Sequence, residues 1–277
     1  MPKPTSTCHI LIAGLGKLGT ALARQLQADG HRVSGIRRQD IPVDGVDLYP
    51  QDLVSTPFVL LPPDQVDLLV IILTPATRDE TGYRDSFLIA PQKLVQAIAK
   101  QQLMPPIIFV SSTAVYGNSP ALDNQLVTED TPPQPDEFNG KILLAAEQEL
   151  SLAGLLTCVR FAGIYGQTDY WTQQAIAIAK GEKPLPPARW MNRIHHTQCV
   201  ELLYQLATGW LAQQPMPPVV NGCDNQPVSN HNLLEKLAAQ AGFELTIPNT
   251  PPSGKRIKGH LISSEQNSAI QKLTDWS

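Results

Sequence analysis

Positive charge is in the minority in this chain: 21 lysines and arginines stand against 25 aspartates and glutamates, a formal net charge of −4. No overall basic field draws it to nucleic acid or to an anionic membrane, and neither is an expected partner. Cysteine is sparse too. Cys8, Cys158, Cys199 and Cys223 are scattered without a CxxC pair, and three lie in or beside apolar runs, the pattern of buried free thiols in a reducing compartment. His196 with Cys199, and Cys8 with His9, lack further ligands at suitable spacing, so no metal site is expected. Met1 to Thr7 carry one lysine and no long apolar stretch. Neither a secretory signal nor a membrane anchor is expected there, and the expectation is a soluble, cytoplasmic protein.

What the chain does have is length and punctuation. Its 277 residues are enough to bury a full core without metal or disulfide support. Proline is frequent, and its pairs, such as Pro62-Pro63, Pro105-Pro106 and Pro186-Pro187, fall between periodic segments, where a missing N–H does least harm. No internal repeat or low-complexity segment is seen.

Between those punctuation marks, short apolar runs alternate with helical patterns. The spacing predicts strands at 8–13, 32–36, 46–49, 67–73, 107–112 and 155–160, with helices at 17–28, 84–101 and 139–153. That order predicts an α/β fold: a Rossmann-type, doubly wound parallel sheet over residues 1–166. Beyond Gly166 the rhythm loosens into helices near 172–180, 198–212 and 230–241 and a strand at 218–221. A smaller C-terminal substrate lobe is expected over 167–277, with a segment at about 191–222 returning to the core.

Chemistry enters at Gly14-Leu15-Gly16-Lys17-Leu18-Gly19, set between the apolar run Ile10 to Ala13 and a helical pattern through Leu18, Ala21, Leu22 and Leu26. A bound diphosphate needs this arrangement. The first glycine bends the turn, the second lets backbone approach, the third lets helix pack on strand, and free N–H groups at the helix start face negative charge. At the end of the second strand stand Arg37 and Arg38. An NAD-binding protein carries a carboxylate there for the ribose hydroxyls, whereas planar guanidinium forks suit a 2′-phosphate. NADP is therefore the expected cofactor, with NAD retained as the alternative through nearby Asp40.

Further along, the strand Ile107 to Val110 runs into Ser111-Ser112-Thr113-Ala114-Val115-Tyr116-Gly117. With the glycine turn, this segment resembles the extended short-chain dehydrogenase/reductases, the group that contains the NAD-dependent nucleotide-sugar epimerases and dehydratases. Asp52-Leu53 is similar to that group's GDL element near the adenine. Arg160-Phe161-Ala162-Gly163-Ile164-Tyr165-Gly166 resembles its R-P-x-x-(I/V)-Y-G segment beside the nicotinamide, Arg193-Ile194-His195 its R-x-I-H element, and Gly254-Lys255-Arg256-Ile257 a C-terminal element of some members. The resemblance implies cofactor contacts at Gly14, Gly16, Lys17, Leu18, Gly19, Arg37, Arg38, Asp52, Leu53, Leu73, Thr74, Ser111, Ala162 and Gly163. It implies a small-molecule substrate such as a sugar nucleotide, and it places the catalytic hydroxyl on Ser112.

One part of the pattern is missing. The group's proton chemistry rests on a YxxxK pair, in which lysine lowers the tyrosine pKa from the same helix face. Matching the downstream E-Q to Glu147-Gln148 puts Asn139 at the tyrosine position and Leu143 at the lysine position. Neither titrates usefully. A one-residue slip gives Phe138 and Ile142, and Lys141 fits neither register. Tyr116 and Tyr165 match turn positions, His195 matches a structural histidine, and His196 is left as a free titratable candidate. Trp171, Trp190, Trp210 and Trp276 are candidates for a substrate pocket, with Arg189 and Arg193 as phosphate contacts, although core packing and surface charge are the simpler account of any single one. Two readings follow: an oxidoreductase or epimerase/dehydratase-like enzyme with a non-standard proton carrier, or a catalytically inactive NAD(P)-binding sensor or regulatory protein.

Overall fold

Apolar runs of four to six residues make the centre of the protein. In the computed structural model, which describes residues 7–55, 61–62, 65–102, 104–166 and 168–261, the first half of the chain runs in alternation. The elements are β1 (His9–Ala13), α1 (Lys17–Ala28), β2 (Arg32–Arg37), β3 (Asp47–Pro50), β4 (Leu68–Ile71), α2 (Glu80–Arg84), α3 (Ala90–Lys100) and β5 (Ile107–Ser112). The second half holds β6 (Leu126–Val127), α4 (Phe138–Ala153), β7 (Leu156–Phe161), β8 (Gly163–Tyr165) and α5 (Tyr170–Ala179). It continues with β9 (Trp190–Met191), β10 (Arg193–His195), α6 (His196–Leu211), β11 (Val219–Gly222), β12 (Val228–Ser229), α7 (Asn230–Gln240) and β13 (Arg256–Ile257).

Seven strands form one sheet in the order β11-β7-β5-β4-β1-β2-β3. The β1–β2, β1–β4, β2–β3 and β4–β5 pairs are all parallel, with Ile10 opposite Val33 on one side and Leu68 on the other. Burial on both faces explains the unbroken apolar runs: every residue of β1 and of β4 is buried. This is the doubly wound Rossmann architecture expected from the sequence, with its switch point between β1 and β4.

The chain divides into two compact units, each assembled from three stretches of sequence. The first comprises Met1–Gly117, Pro133–Arg160 and Thr197–Val220; the second comprises Asn118–Pro132, Phe161–His196 and Asn221–Ser277. The second unit has its own small core, in which α5 and α7 bury Ala175, Leu233, Leu234, Leu237 and Ala238, with Trp171 packed against them. Its short strands pair as β8 with β10, β9 with β12, and β6 with β13.

Two expected elements are corrected. The helix expected at 84–101 starts earlier, at Glu80, where the Asp79 carboxylate accepts the Gly82 N–H at 2.8 Å as an N-cap. It is then interrupted by a π-helical turn over Asp85–Ile89 before α3 begins. The helix expected at 198–212 begins two residues earlier, at His196, so that Thr197 lies inside its first turn. Among the described residues no helix is long and apolar enough to cross a membrane.

Candidate cofactor-binding site

The carboxyl ends of β1, β2 and β4 and the loop after β3 open onto one cleft of about 680 Å³ in the first unit. Gly14 and Gly16 from the turn after β1, Arg37 and Arg38 from the end of β2, Asp52 and Leu53, and Leu73 and Thr74 all line it. These residues come from four separate stretches of sequence, and the fold brings them together in a switch-point crevice. The rest of the lining has no counterpart in the sequence motifs: it includes Thr81, Gly82, Asp85, Ser86 and Ala90, so the π-helical turn is part of the cleft surface.

Backbone geometry explains the glycine turn. Gly14 adopts φ +108°, and its N–H donates to the Ile36 carbonyl at 2.9 Å. A Cβ on Gly19 would fall 2.2 Å from the Gly14 carbonyl oxygen, so the third glycine allows α1 to press against the turn. Gly16, by contrast, has nothing within 4 Å of its Cβ position, and no side chain caps the N-terminus of α1. An open space beside uncapped helix N–H groups is a site for an anion. Lys17 is exposed and Leu18 half-buried in the first turn of α1.

At the other end of the cleft, Asp52 Oδ1 accepts the Val54 N–H at 3.0 Å. That bond holds the carboxyl below its ordinary range, Ser55 reinforces it, and the Arg38 charge adds to it. Arg37 donates from Nη1 to the Ile41 carbonyl at 3.4 Å, and Arg38 is exposed. Both arginines and the Asp52 carboxylate line the cleft, and Arg38 is near enough for its charge to act on Asp52.

The remaining expected residues lie elsewhere. Ser112 ends β5, half-buried, and its Oγ accepts the Ala114 N–H at 3.2 Å, capping the 3-10 turn Thr113–Tyr116. Ser111 is buried and donates its hydroxyl to Glu147 Oε1 at 2.6 Å. Ala162 and Gly163 belong to the second unit: Ala162 N–H donates to Gly222 and Gly163 N–H to Asn192, both to backbone carbonyls.

In the first turn of α4, where the family pair would begin, Asn139 Oδ1 accepts the Gly140 N–H at 2.8 Å, and one turn on Leu143 is 2% exposed. Phe138 packs edge-on against Tyr83, centroids 5.5 Å apart, and Lys141 is exposed.

Farther along the same helix is a feature that the motifs do not reveal. The Glu147 carboxylate accepts from Arg160 Nη2 at 2.6 Å and Nε at 3.1 Å, and Arg160 lies 4.9 Å over the Tyr116 ring. Burial alone would lower the Arg160 guanidinium, but the Glu147 bonds and charge raise it overall. The signal in the sequence is a glutamate one turn beyond Leu143 on an otherwise apolar helix face. In the second unit, His195 stacks beside His196 at 4.3 Å and against Tyr165 at 5.2 Å, and burial, then His196, lowers its pKa. Of the tryptophans, Trp190 donates to Asn124 Oδ1 at 2.7 Å and Trp210 to Thr157 Oγ1 at 3.2 Å. Trp276 lies outside the described residues.

Comparison with known proteins gives matches of three kinds. The model of the NAD dependent epimerase/dehydratase family matches residues 10–148. The YeeZ protein of Escherichia coli K12 is 34% identical over 169 residues, 57% of this chain and 59% of the relative's own length, so the match spans little more than half of either. A solved structure described as a candidate NAD-dependent epimerase/dehydratase, from Methylobacillus flagellatus, is 31% identical with a TM-score of 0.73. It covers 96% of this chain and 92% of the other. MoeE5, solved with UDP-glucuronic acid and NAD, has a TM-score of 0.67 at 18% identity, over 95% of this chain and 92% of its own, and shares the fold.

Proposed function

This chain belongs to the NAD dependent epimerase/dehydratase family, and we propose that it binds NADP and acts as an oxidoreductase or epimerase/dehydratase whose proton transfer does not use a Tyr–Lys pair. The observation that carries the reading is the shared cleft: an open glycine turn beneath uncapped helix N–H groups, with two arginines and Asp52 at its far end.

These residues fit a dinucleotide. The Gly16 space and the start of α1 would receive the diphosphate, Arg37 and Arg38 the 2′-phosphate, and Asp52 the adenine end. When bound, the nicotinamide supplies the hydride donor or acceptor. Ser112 would hydrogen-bond a substrate hydroxyl or carbonyl at the end of β5. A sugar nucleotide is the favoured substrate class, because fold relatives have been solved with UDP-glucuronic acid and UDP-glucose.

A second reading, an NADP-binding regulator without turnover, is favoured by one observation. The helix face that would carry the acid/base pair presents an amide bonded within its own turn and a buried leucine.

Titration with NADPH and NADH, followed by nicotinamide fluorescence, tests the cofactor. NADPH is expected to bind more tightly, and Arg37→Ala with Arg38→Ala to erase that preference. Equal affinities that survive loss of both arginines refute the phosphate argument. Turnover of NADPH with sugar nucleotides or small carbonyls, abolished by Ser112→Ala, selects the enzyme; tight binding with no turnover across the panel selects the regulator.

A further inference from the structure

Asn139, Leu143 and Glu147 follow one another at i, i+4 spacing and so share one face of α4. The first two have lost the chemistry of the family pair. Glu147 keeps a bonded carboxylate: it is 5% exposed, paired with a bidentate guanidinium, and it accepts the Ser111 hydroxyl at 2.6 Å. A carboxylate accepts but does not donate, so the Ser111 hydrogen is committed to Glu147 and its direction is fixed. Arg160, 4% exposed, holds the other side of that carboxylate and rests on the Tyr116 ring at the end of the next turn. The end of β5 and the turn that follows it are thereby tied to α4 and β7 by charge-assisted bonds in addition to the sheet ladder.

Successive residues of a strand face opposite ways, so Ser111 turned toward α4 leaves Ser112 turned away from it. The strand order then says which half of a dinucleotide would feel this. β5 lies beyond β4, on the far side of the switch point from β1, β2 and β3, whose ends carry the glycine turn, the arginines and Asp52. A dinucleotide straddles that point, with adenosine over one set of strands and nicotinamide over the other.

Resting on the cofactor reading above, we propose that Glu147 is a positioning residue for the nicotinamide half of the cofactor. Acting through Ser111, it fixes the end of β5, and it has no part in holding the adenosine half.

The probes are NADPH and 2′,5′-ADP, which carries the adenosine and its 2′-phosphate but no nicotinamide. Ser111→Ala and Glu147→Gln are each expected to weaken NADPH about tenfold while changing 2′,5′-ADP affinity less than about twofold. The double variant should bind NADPH no more weakly than Glu147→Gln alone, because both changes break one chain of contacts. Ser111→Ala leaves the ion pair intact and decides the matter if Glu147→Gln does not fold. Parallel weakening of both probes, unchanged NADPH affinity in Ser111→Ala, or additive losses overturn the proposal. Wild-type protein that binds neither probe overturns the dinucleotide reading itself, a result obtained before any variant is made.

Discussion

The carbonyl oxygen of Ile72 occupies the space in which a side chain on Gly14 would begin: a Cβ built there lies 1.9 Å away. The backbone just past β4 and that of the glycine turn are therefore in direct contact, at a residue with φ +108°. Gly14→Ala is expected to destabilise the fold by at least about 1–3 kcal/mol, since neither backbone can yield cheaply. Gly19→Ala, 2.2 Å from the Gly14 carbonyl, should behave alike. Gly16→Ala is the contrasting case: φ is −80° and the Cβ meets nothing, so thermal stability should stay within about 0.5 kcal/mol while NADPH affinity falls. A Gly16→Ala protein that melts like wild type and binds NADPH equally well would show that the open space is not a diphosphate site.

Much of this is readable from the sequence because it is local. The helix expected at 17–28 is found there, and the strand expected at 107–112 has the same bounds, because strand, turn and helix chemistry lie within one stretch of chain. What is not readable depends on distant partners. Arg256 pairs with Leu126, and Trp190 with Ser229, in strands of two residues that show no periodicity alone. The π-helical turn is invisible to a 3.6-residue pattern, yet it supplies Asp85 and Ser86 to the cleft. Glu147 is legible as a motif letter, but its partners appear only when the fold brings Ser111 and Arg160 to it.

The cysteines should divide by accessibility. Cys158, Cys199 and Cys223 are 3%, 0% and 1% exposed, and burial pushes all three thiols up, Cys223 to about 12. The thiolate is the reactive form, so these groups should be inert in the native protein. Labelling with a disulfide reagent at pH 8 is expected to modify at most one residue per chain, Cys8, which is half-buried. Rapid labelling of two or more without denaturant would contradict the burial described for β7, α6 and the residue after β11.

Asp224 predicts a pH dependence opposite to that of most carboxylates. Burial raises its pKa to about 6, against the opposing effects of the Gln226 N–H and the Arg193 charge. In the unfolded chain the group ionises near 3.8. Between those values the folded state holds the proton and the unfolded state does not, so this residue's contribution to stability falls as pH rises from about 4 to 6. The loss is on the order of 2–3 kcal/mol once pH exceeds 6. Asp224→Asn keeps an acceptor for the Gln226 N–H, bonded at 2.9 Å, and removes the titration. The stability difference between variant and wild type, from urea unfolding, should shift in the variant's favour between pH 4 and pH 7. A difference independent of pH would place the pKa of Asp224 near its ordinary value.

Restoring the family pair should have a cost that depends on pH. Leu143 is 2% exposed on the buried face of α4, so Leu143→Lys places an ammonium where solvent does not reach. Burial disfavours the charged form and lowers the lysine pKa below its unfolded value of about 10.4. The folded variant then binds fewer protons than the unfolded one at neutral pH, and it is destabilised by about 2–4 kcal/mol there. Stability should recover as pH rises toward and past the unfolded value, where both states carry a neutral amine. Asn139→Tyr added to this variant puts a phenol one helical turn away, half-exposed as Asn139 is. Because burial leaves the Leu143→Lys amine neutral at the pH where a phenol ionises, that phenol should titrate alike in Asn139→Tyr with and without Leu143→Lys, and ultraviolet titration reads the comparison. A phenol that titrates lower beside Leu143→Lys would mean that the amine keeps its proton in the fold and that the helix face still supports the pairing the family chemistry requires.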